Sequence, residues 1–261
     1  MYKKVLTVFL TVILFLAAVF LGGATVFRVD DVALVATVVS EEAKSETTKL
    51  QEEILALYKE ESIFSVDKSA LDKVLKDYPY LRVTGFEKAY PNKIVVTLLE
   101  EAESYAVQRA EGGFYILGAS GIVLDIRSTN VNRLDQKANV ALNGLTVTGK
   151  KGGTLTGDDC FASMFALCNT LDEKLGGIRS NVVSVEVLAR TPEIFYMITM
   201  REGLKIYVNN PAVLTTQKAE KALNAYMALS NEERMPGRLN VRESDGEVLV
   251  AYSPIDEFIG Q

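Results

Sequence analysis

Few residues in this chain of 261 have the types and spacing that catalysis requires. The sequence contains no His, which excludes Ser-His-Asp and Cys-His nucleophiles, the H-E-x-x-H zinc site and any imidazole base. Ser120 lies in Gly-Ala-Ser-Gly, which resembles a nucleophile elbow, but the five-residue pattern is incomplete and no base accompanies it. These observations favour a protein that is not an enzyme.

Two acidic pairs, Glu100-Glu101 and Asp158-Asp159, are the remaining candidates for acid–base chemistry. A glycoside hydrolase needs two carboxylates that face one cleft at roughly 5–10 Å. Neighbouring residues of a strand point to opposite faces, so capping and solvation explain these pairs better. We therefore expect no catalytic residue among them.

Cys160 and Cys168 lie on one predicted helix, which Gly176-Gly177 ends. Thr156 followed by Asp159 resembles a capping box at its start. Along a helix the two thiols stand about 12 Å apart, which is beyond the reach of a disulfide. Apolar residues at helical spacing around them predict that both thiols fill the core. A metal site would need further soft ligands, so we expect neither a metal nor a cofactor.

The charge balance also limits the function. Acidic residues outnumber basic ones 34 to 28, for a net charge of −6. Binding of nucleic acid needs a basic stripe that displaces phosphate counterions. We therefore expect no nucleic-acid partner.

An uncharged run, Val5–Phe27, follows Lys3 and Lys4. As a helix it would extend roughly 34 Å, enough to cross a bilayer core of about 30 Å. The positive-inside rule then predicts a single-pass membrane protein with a cytoplasmic N-terminus and an extracytoplasmic remainder. The alternative is a signal peptide cleaved near Gly22-Gly23-Ala24.

Beyond this run, the periodicity predicts two domains. The first has the order β-α-α-β-β, with strands Val29–Val39, Leu81–Ala89 and Ile94–Leu99. The second has short strands, the cysteine helix, a helix over Ala212–Leu229 and a final hairpin. This pattern predicts a mostly antiparallel sheet with two packed helices.

Several local sequences, taken in order, are informative together. They are Phe27-Arg28-Val29, Ile63-Phe64-Ser65-Val66-Asp67, Tyr78-Pro79-Tyr80-Leu81, Tyr90-Pro91-Asn92-Lys93-Ile94-Val95-Val96 and Gly121-Ile122-Val123-Leu124. This set resembles the bacterial cell-division family FtsQ/DivIB over almost the whole chain.

The resemblance implies an α+β fold in three parts. Residues 1–27 would form a short cytoplasmic N-terminus and a transmembrane helix, and residues 28–101 a POTRA domain. Residues 102–261 would form the extracytoplasmic β domain. It further implies a non-enzymatic scaffold of the divisome, located in the cell membrane at the division septum. Its partners would be FtsL-like and FtsB/DivIC-like single-pass proteins, and it would help to control the septal peptidoglycan synthase.

In this family the last strand binds the partner. The matching positions here are Asp245, Gly246, Glu247, Val248, Leu249, Val250, Ala251, Tyr252 and Ser253. An exposed edge strand offers unpaired backbone groups to a visiting strand, and Tyr252 is a candidate aromatic anchor. The alternative is that Glu247–Ser253 is an inner strand, already paired on both sides.

Two other functions remain open at this point. A POTRA-type protein of an envelope assembly or secretion system would handle unfolded client chains. A membrane-anchored cell-wall hydrolase would require two convergent carboxylates in a cleft.

Overall fold

The computed structural model describes residues 10–14, 26–59, 61–235 and 237–254. The chain divides into two compact units, Met1–Glu100 and Glu101–Gln261. Each unit contains a sheet of its own, with three strands in the first and nine in the second. The described chain is therefore an α+β protein.

The N-terminal unit follows the order β-α-α-β-β. Its elements are β1 (Asp31–Thr37), α1 (Glu41–Tyr58), α2 (Lys68–Val74), a 3-10 turn (Leu75–Asp77), β2 (Leu81–Ala89) and β3 (Lys93–Glu100). The central strand β3 pairs with β1 in parallel and with β2 in antiparallel orientation. Because side chains alternate along a strand, β3 turns Ile94, Val96 and Leu98 into the core, where all three are buried.

The C-terminal unit contains the larger sheet and two helices. Its strands are β4 (Glu103–Gln108), β5 (Phe114–Gly118), β6 (Val123–Arg127), β7 (Val140–Asn143), β8 (Val182–Ala189), β9 (Phe195–Met200), β10 (Lys205–Asn209), β11 (Arg238–Ser244) and β12 (Glu247–Ser253). Its helices are α3 (Asp159–Leu175) and α4 (Thr215–Ala228), and a 3-10 turn covers Ile178–Ser180. The strand order across the sheet is β12-β11-β10-β9-β8-β7-β4-β5-β6.

This sheet is mixed: five of its eight strand pairs are antiparallel, as the expectation of a mostly antiparallel sheet implied, and three are parallel. The pairs β4–β7, β7–β8 and β10–β11 are parallel. For two of these pairs, β7–β8 and β10–β11, the reason lies in the connections, because α3 joins β7 to β8 and α4 joins β10 to β11. A helical crossover returns the chain to the end of the sheet where the first strand began, so the two strands that it joins run parallel.

The helix α3 lies over the core of this unit. It contributes Met164, Leu167, Cys168 and Leu171, all fully buried. Both cysteines are buried and unpaired, which confirms that they fill the core. The helix begins after Asp158, whose side chain accepts from the Cys160 N–H, so the expected cap at Thr156 is wrong. It ends at Gly176, where φ is 63°.

The predicted transmembrane helix Val5–Phe27 lies largely outside the described residues. Within the ranges given above, no helix is both long enough and apolar enough to cross a membrane. This finding corrects the fold expected for residues 1–27 and the expected single-pass location in the cell membrane at the division septum.

Candidate functional site

The final strand β12 lies at one edge of the nine-stranded sheet. It pairs with β11 along its whole length, from Ser244↔Glu247 to Arg238↔Ser253. Among the strands that the structure describes, none pairs with its other side. Within the described part of the chain, Glu247–Ser253 is therefore an edge strand and not an inner one.

The turn before β12 fixes the pairing of the hairpin. Asp245 and Gly246 both have positive φ, at 55° and 80°, as a two-residue type I′ turn requires. The Gly246 N–H donates to Glu243 Oε1 over 2.6 Å. A turn of this type matches the twist of the strands and makes Ser244↔Glu247 the closing hydrogen-bonded pair.

The closing pair determines which backbone groups face outward. Hydrogen-bonded and non-hydrogen-bonded pairs alternate in an antiparallel ladder, so Glu247, Leu249, Ala251 and Ser253 bond to β11. The N–H and C=O groups of Val248, Val250 and Tyr252 then point away from β11. We call these outward groups the β12 rim.

The side chains of β12 alternate between two environments. Val248 is buried, and Val250 packs against the core. On the opposite face Leu249 is 41% exposed, and Ala251 is exposed as well. The strand therefore has one face anchored in the core and one apolar face open for contact.

Tyr252, the expected aromatic anchor, is held by the protein itself. Its hydroxyl donates to the Glu233 carbonyl over 2.8 Å. Its ring lies against the main chain at Gly237, where an added Cβ would stand 2.8 Å from the ring atom Cε2. The side chain is 37% exposed, so part of the ring surface remains open beside the rim.

Two lysines of α4 bond this helix to main-chain carbonyls, one at the end of β10 and the other on β12. Lys218 is fully buried, and its Nζ donates to the carbonyls of Asn209 and Asn210, each over 2.9 Å. Burial lowers the pKa of Lys218. Lys221, one turn further on, donates from Nζ to the Val248 carbonyl over 2.7 Å. One of the rim's three carbonyls is therefore occupied.

Neither lysine was expected from the sequence. A signal for Lys218 exists, because the buried residues of α4 recur at helical spacing and Lys218 falls on that face. No such signal exists for Lys221, since its acceptor lies 27 positions away in the chain.

At the other edge of the sheet, a loop of the chain bonds to the first residue of β6. The Val123 N–H donates to the Gly153 carbonyl over 2.8 Å, and the Gly152 N–H donates to the Val123 carbonyl at the same distance. Ile122 and Thr154 form an isolated bridge beside them. A loop thus pairs with the start of β6, whereas the described residues leave most of the β12 rim open.

The acidic pairs hold main-chain groups in place. In the N-terminal unit, Glu100 Oε2 accepts from Ser40 N–H over 3.1 Å at the start of α1. In the C-terminal unit, Glu101 Oε1 accepts from Ser120 N–H over 2.8 Å. Asp158 accepts from the Thr146 N–H over 2.7 Å and from Arg190 over 2.9 Å. These carboxylates therefore have structural contacts, as the expectation of capping implied.

Two polar clefts lie elsewhere in the C-terminal unit. One of about 700 Å³ has Glu186 as the only carboxylate side chain among its lining residues. In the other, of about 300 Å³, Asp135 receives two hydrogen bonds from Arg179, at 2.7 and 2.9 Å. Across the described ranges, no group of three or more His, Cys, Asp or Glu side chains could hold a metal ion.

Neither a protein-family model nor a curated protein matches this chain. Among the described residues, the β12 rim is the candidate site that the geometry offers. It can accept a strand, and the side chains beside it can select one.

Proposed function

We propose that this protein is a non-enzymatic scaffold that binds a partner by adding a strand of the partner to the β12 rim. The observation that carries the proposal is the open side of β12. In the described part of the chain, the rim retains three N–H donors and the carbonyls of Val250 and Tyr252. An extended peptide satisfies such groups by continuing the sheet.

Main-chain hydrogen bonds would supply part of the affinity. Each contributes roughly 0.5–1.5 kcal/mol net, so the rim groups together favour binding by several kcal/mol before the cost of ordering the peptide. Leu249 and Ala251 would contact alternate side chains of the added strand on the open face. The backbone groups of the rim thus supply affinity for an added strand, and the side chains of Leu249 and Ala251 determine which sequences fit.

The resemblance to the FtsQ/DivIB family supports a narrower form of the proposal. The partners are then FtsL-like and FtsB/DivIC-like division proteins, and the scaffold acts through them on the septal peptidoglycan synthase. The family's partner-binding strand corresponds to β12, which supports the same use of the edge here.

The test is capture of partners from cross-linked dividing cells with the full-length chain. We compare the wild type with Leu249→Asp, which places a charge beside the rim at an exposed position. The matched control is Val35→Asp in β1, another edge strand, where the side chain is 53% exposed.

We expect the wild type and Val35→Asp to capture both division proteins, and Leu249→Asp to recover about tenfold less, as loss of roughly 1.4 kcal/mol implies. Equal recovery by Leu249→Asp would contradict binding at the rim. Capture of many unrelated unfolded chains would support the client-handling function instead, and release of peptidoglycan fragments by the purified chain would support the hydrolase.

A further inference from the structure

We infer that Lys221 is a specificity determinant of the β12 rim: by occupying the Val248 carbonyl, it restricts strand addition to Val250 and Tyr252 and excludes a second copy of β12. This inference rests on the proposed function, since it concerns which strand the rim accepts. It is carried by the bond from Lys221 Nζ to the Val248 carbonyl, 2.7 Å long.

The position of Lys221 is fixed by the rest of α4. The next two residues, Ala222 and Leu223, are buried in the core. Lys218, one turn earlier, is bonded to the end of β10 through two carbonyls. Because a bond from a charged donor is shorter and stronger than one between neutral groups, an incoming peptide N–H competes poorly for this carbonyl.

This bond shortens the part of the rim that an occupant can use. A strand added antiparallel to β12 would place one N–H opposite the Val248 carbonyl, where it would find the acceptor already taken. An unpaired donor at that position disfavours a longer strand. The strand that fits therefore forms its backbone bonds at Val250 and Tyr252 and not at Val248.

The same bond disfavours pairing with a second copy of the chain. Two antiparallel β12 strands centred on Val250 would place Val248 of each copy opposite Tyr252 of the other. Each Tyr252 N–H would then need the carbonyl that Lys221 holds. Without the lysine, the apolar segment Val248–Ala251 would be self-complementary, which is the usual hazard of an open edge strand.

Lysine at a sheet edge is a known protection against such pairing. Here the lysine comes from the neighbouring helix and not from the strand, so the strand keeps its apolar side chains for a partner. Lys221 thus favours pairing of β12 with a partner strand over pairing with a second copy of β12.

The experiment measures self-association of the full-length chain by sedimentation over a range of concentrations. Lys221→Met keeps the length and the apolar stem of the side chain and removes the charged donor. The control is Lys44→Met, which removes a lysine from an exposed i,i+3 ion pair with Glu41 in the N-terminal unit. Circular dichroism and thermal unfolding verify that each variant is folded.

We expect Lys221→Met to self-associate at least tenfold more tightly than the wild type and Lys44→Met to be unchanged. The double variant Lys221→Met/Val250→Pro, in which proline blocks the centre of the rim, should return to the behaviour of the wild type. A folded Lys221→Met that sediments like the wild type would overturn the inference. So would self-association that persists in the double variant, since another surface would then be responsible.

Partner capture by the wild type is scored separately from self-association. Tighter self-association of Lys221→Met, with no partner captured by the wild type, would leave the role of the lysine standing and remove the proposed function. If the wild type captured the partner and Lys221→Met did not change sedimentation, the proposed function would stand and the role of the lysine would be wrong.

Discussion

Replacing Val250 with proline tests binding at the rim without breaking the hydrogen bonds between β11 and β12. The Val250 N–H points away from β11, so proline at this position removes no hydrogen bond of the existing ladder. Proline is tolerated in edge strands where its missing N–H would have faced solvent. The pyrrolidine ring would, however, occupy the centre of the rim and remove its middle donor.

The expected loss of affinity follows from these two changes. One missing hydrogen bond weakens binding by roughly 0.5–1.5 kcal/mol. The ring also keeps the partner backbone from closing on the neighbouring groups, so we expect a total of about 1.5–3 kcal/mol. That corresponds to a dissociation constant roughly 10–100 times larger. The side chain of Val250 is partly buried, and its replacement should lower the free energy of unfolding by about 1–2 kcal/mol.

Leu249→Pro is the matched control, one position away. The Leu249 N–H bonds to the carbonyl of Arg242 in β11, so proline there breaks the hairpin ladder. We expect a larger loss of stability than for Val250→Pro, measured by urea unfolding, although the side chain of Leu249 is the more exposed of the two. Binding of the captured partner is measured by isothermal titration calorimetry.

Two results would refute this reasoning. If Val250→Pro bound the partner as the wild type does, the rim would not be the binding surface. If Leu249→Pro were less destabilised than Val250→Pro, the assignment of outward and inward backbone groups would be wrong.

Two further predictions concern the stability of the C-terminal unit. Asp158→Ala should lower the free energy of unfolding by roughly 1–2 kcal/mol because the cap of α3 is lost. Burial by itself raises the pKa of Asp158, but the hydrogen bonds from Arg190 and the Thr146 N–H outweigh it and lower the pKa below 3.8. The stabilisation is therefore present above that pH and lost as the pH falls through the lower native value. Asp158→Asn should show less of this loss in urea titrations from pH 7 to pH 2, and an acid profile identical to that of the wild type would contradict the prediction. Both thiols are buried, and burial raises the pKa of Cys168, so Ellman's reagent should react with neither cysteine until the protein unfolds; rapid reaction of the folded protein would contradict their place in the core.

The final hairpin was predictable because its signals are local. An Asp-Gly turn between alternating apolar runs specifies a two-residue turn, and both turn residues have the positive φ that it needs. The strand Glu247–Ser253 was predicted with its observed bounds. Its use as an open edge followed from the family resemblance, not from the strand pattern itself.

The features that escaped prediction depend on contacts between distant residues. Strand β7 has only four residues, and it is defined by its parallel neighbours β4 and β8 more than by its own pattern. Two of the three parallel pairs, β7–β8 and β10–β11, arise from where α3 and α4 return the chain, which periodicity does not indicate. In the sequence, Lys221 is indistinguishable from an ordinary exposed lysine of a helix. Its bond to the Val248 carbonyl depends on the approach of α4 to β12.

Amide hydrogen exchange of the full-length chain, free and with its captured partner, tests strand addition at the rim most directly. The Leu249 and Ala251 amides, bonded to β11, should be protected in both states. The Val250 and Tyr252 amides should exchange rapidly in the free protein and become protected when the partner binds. Unchanged exchange at Val250 and Tyr252 in a saturated complex would contradict strand addition at β12.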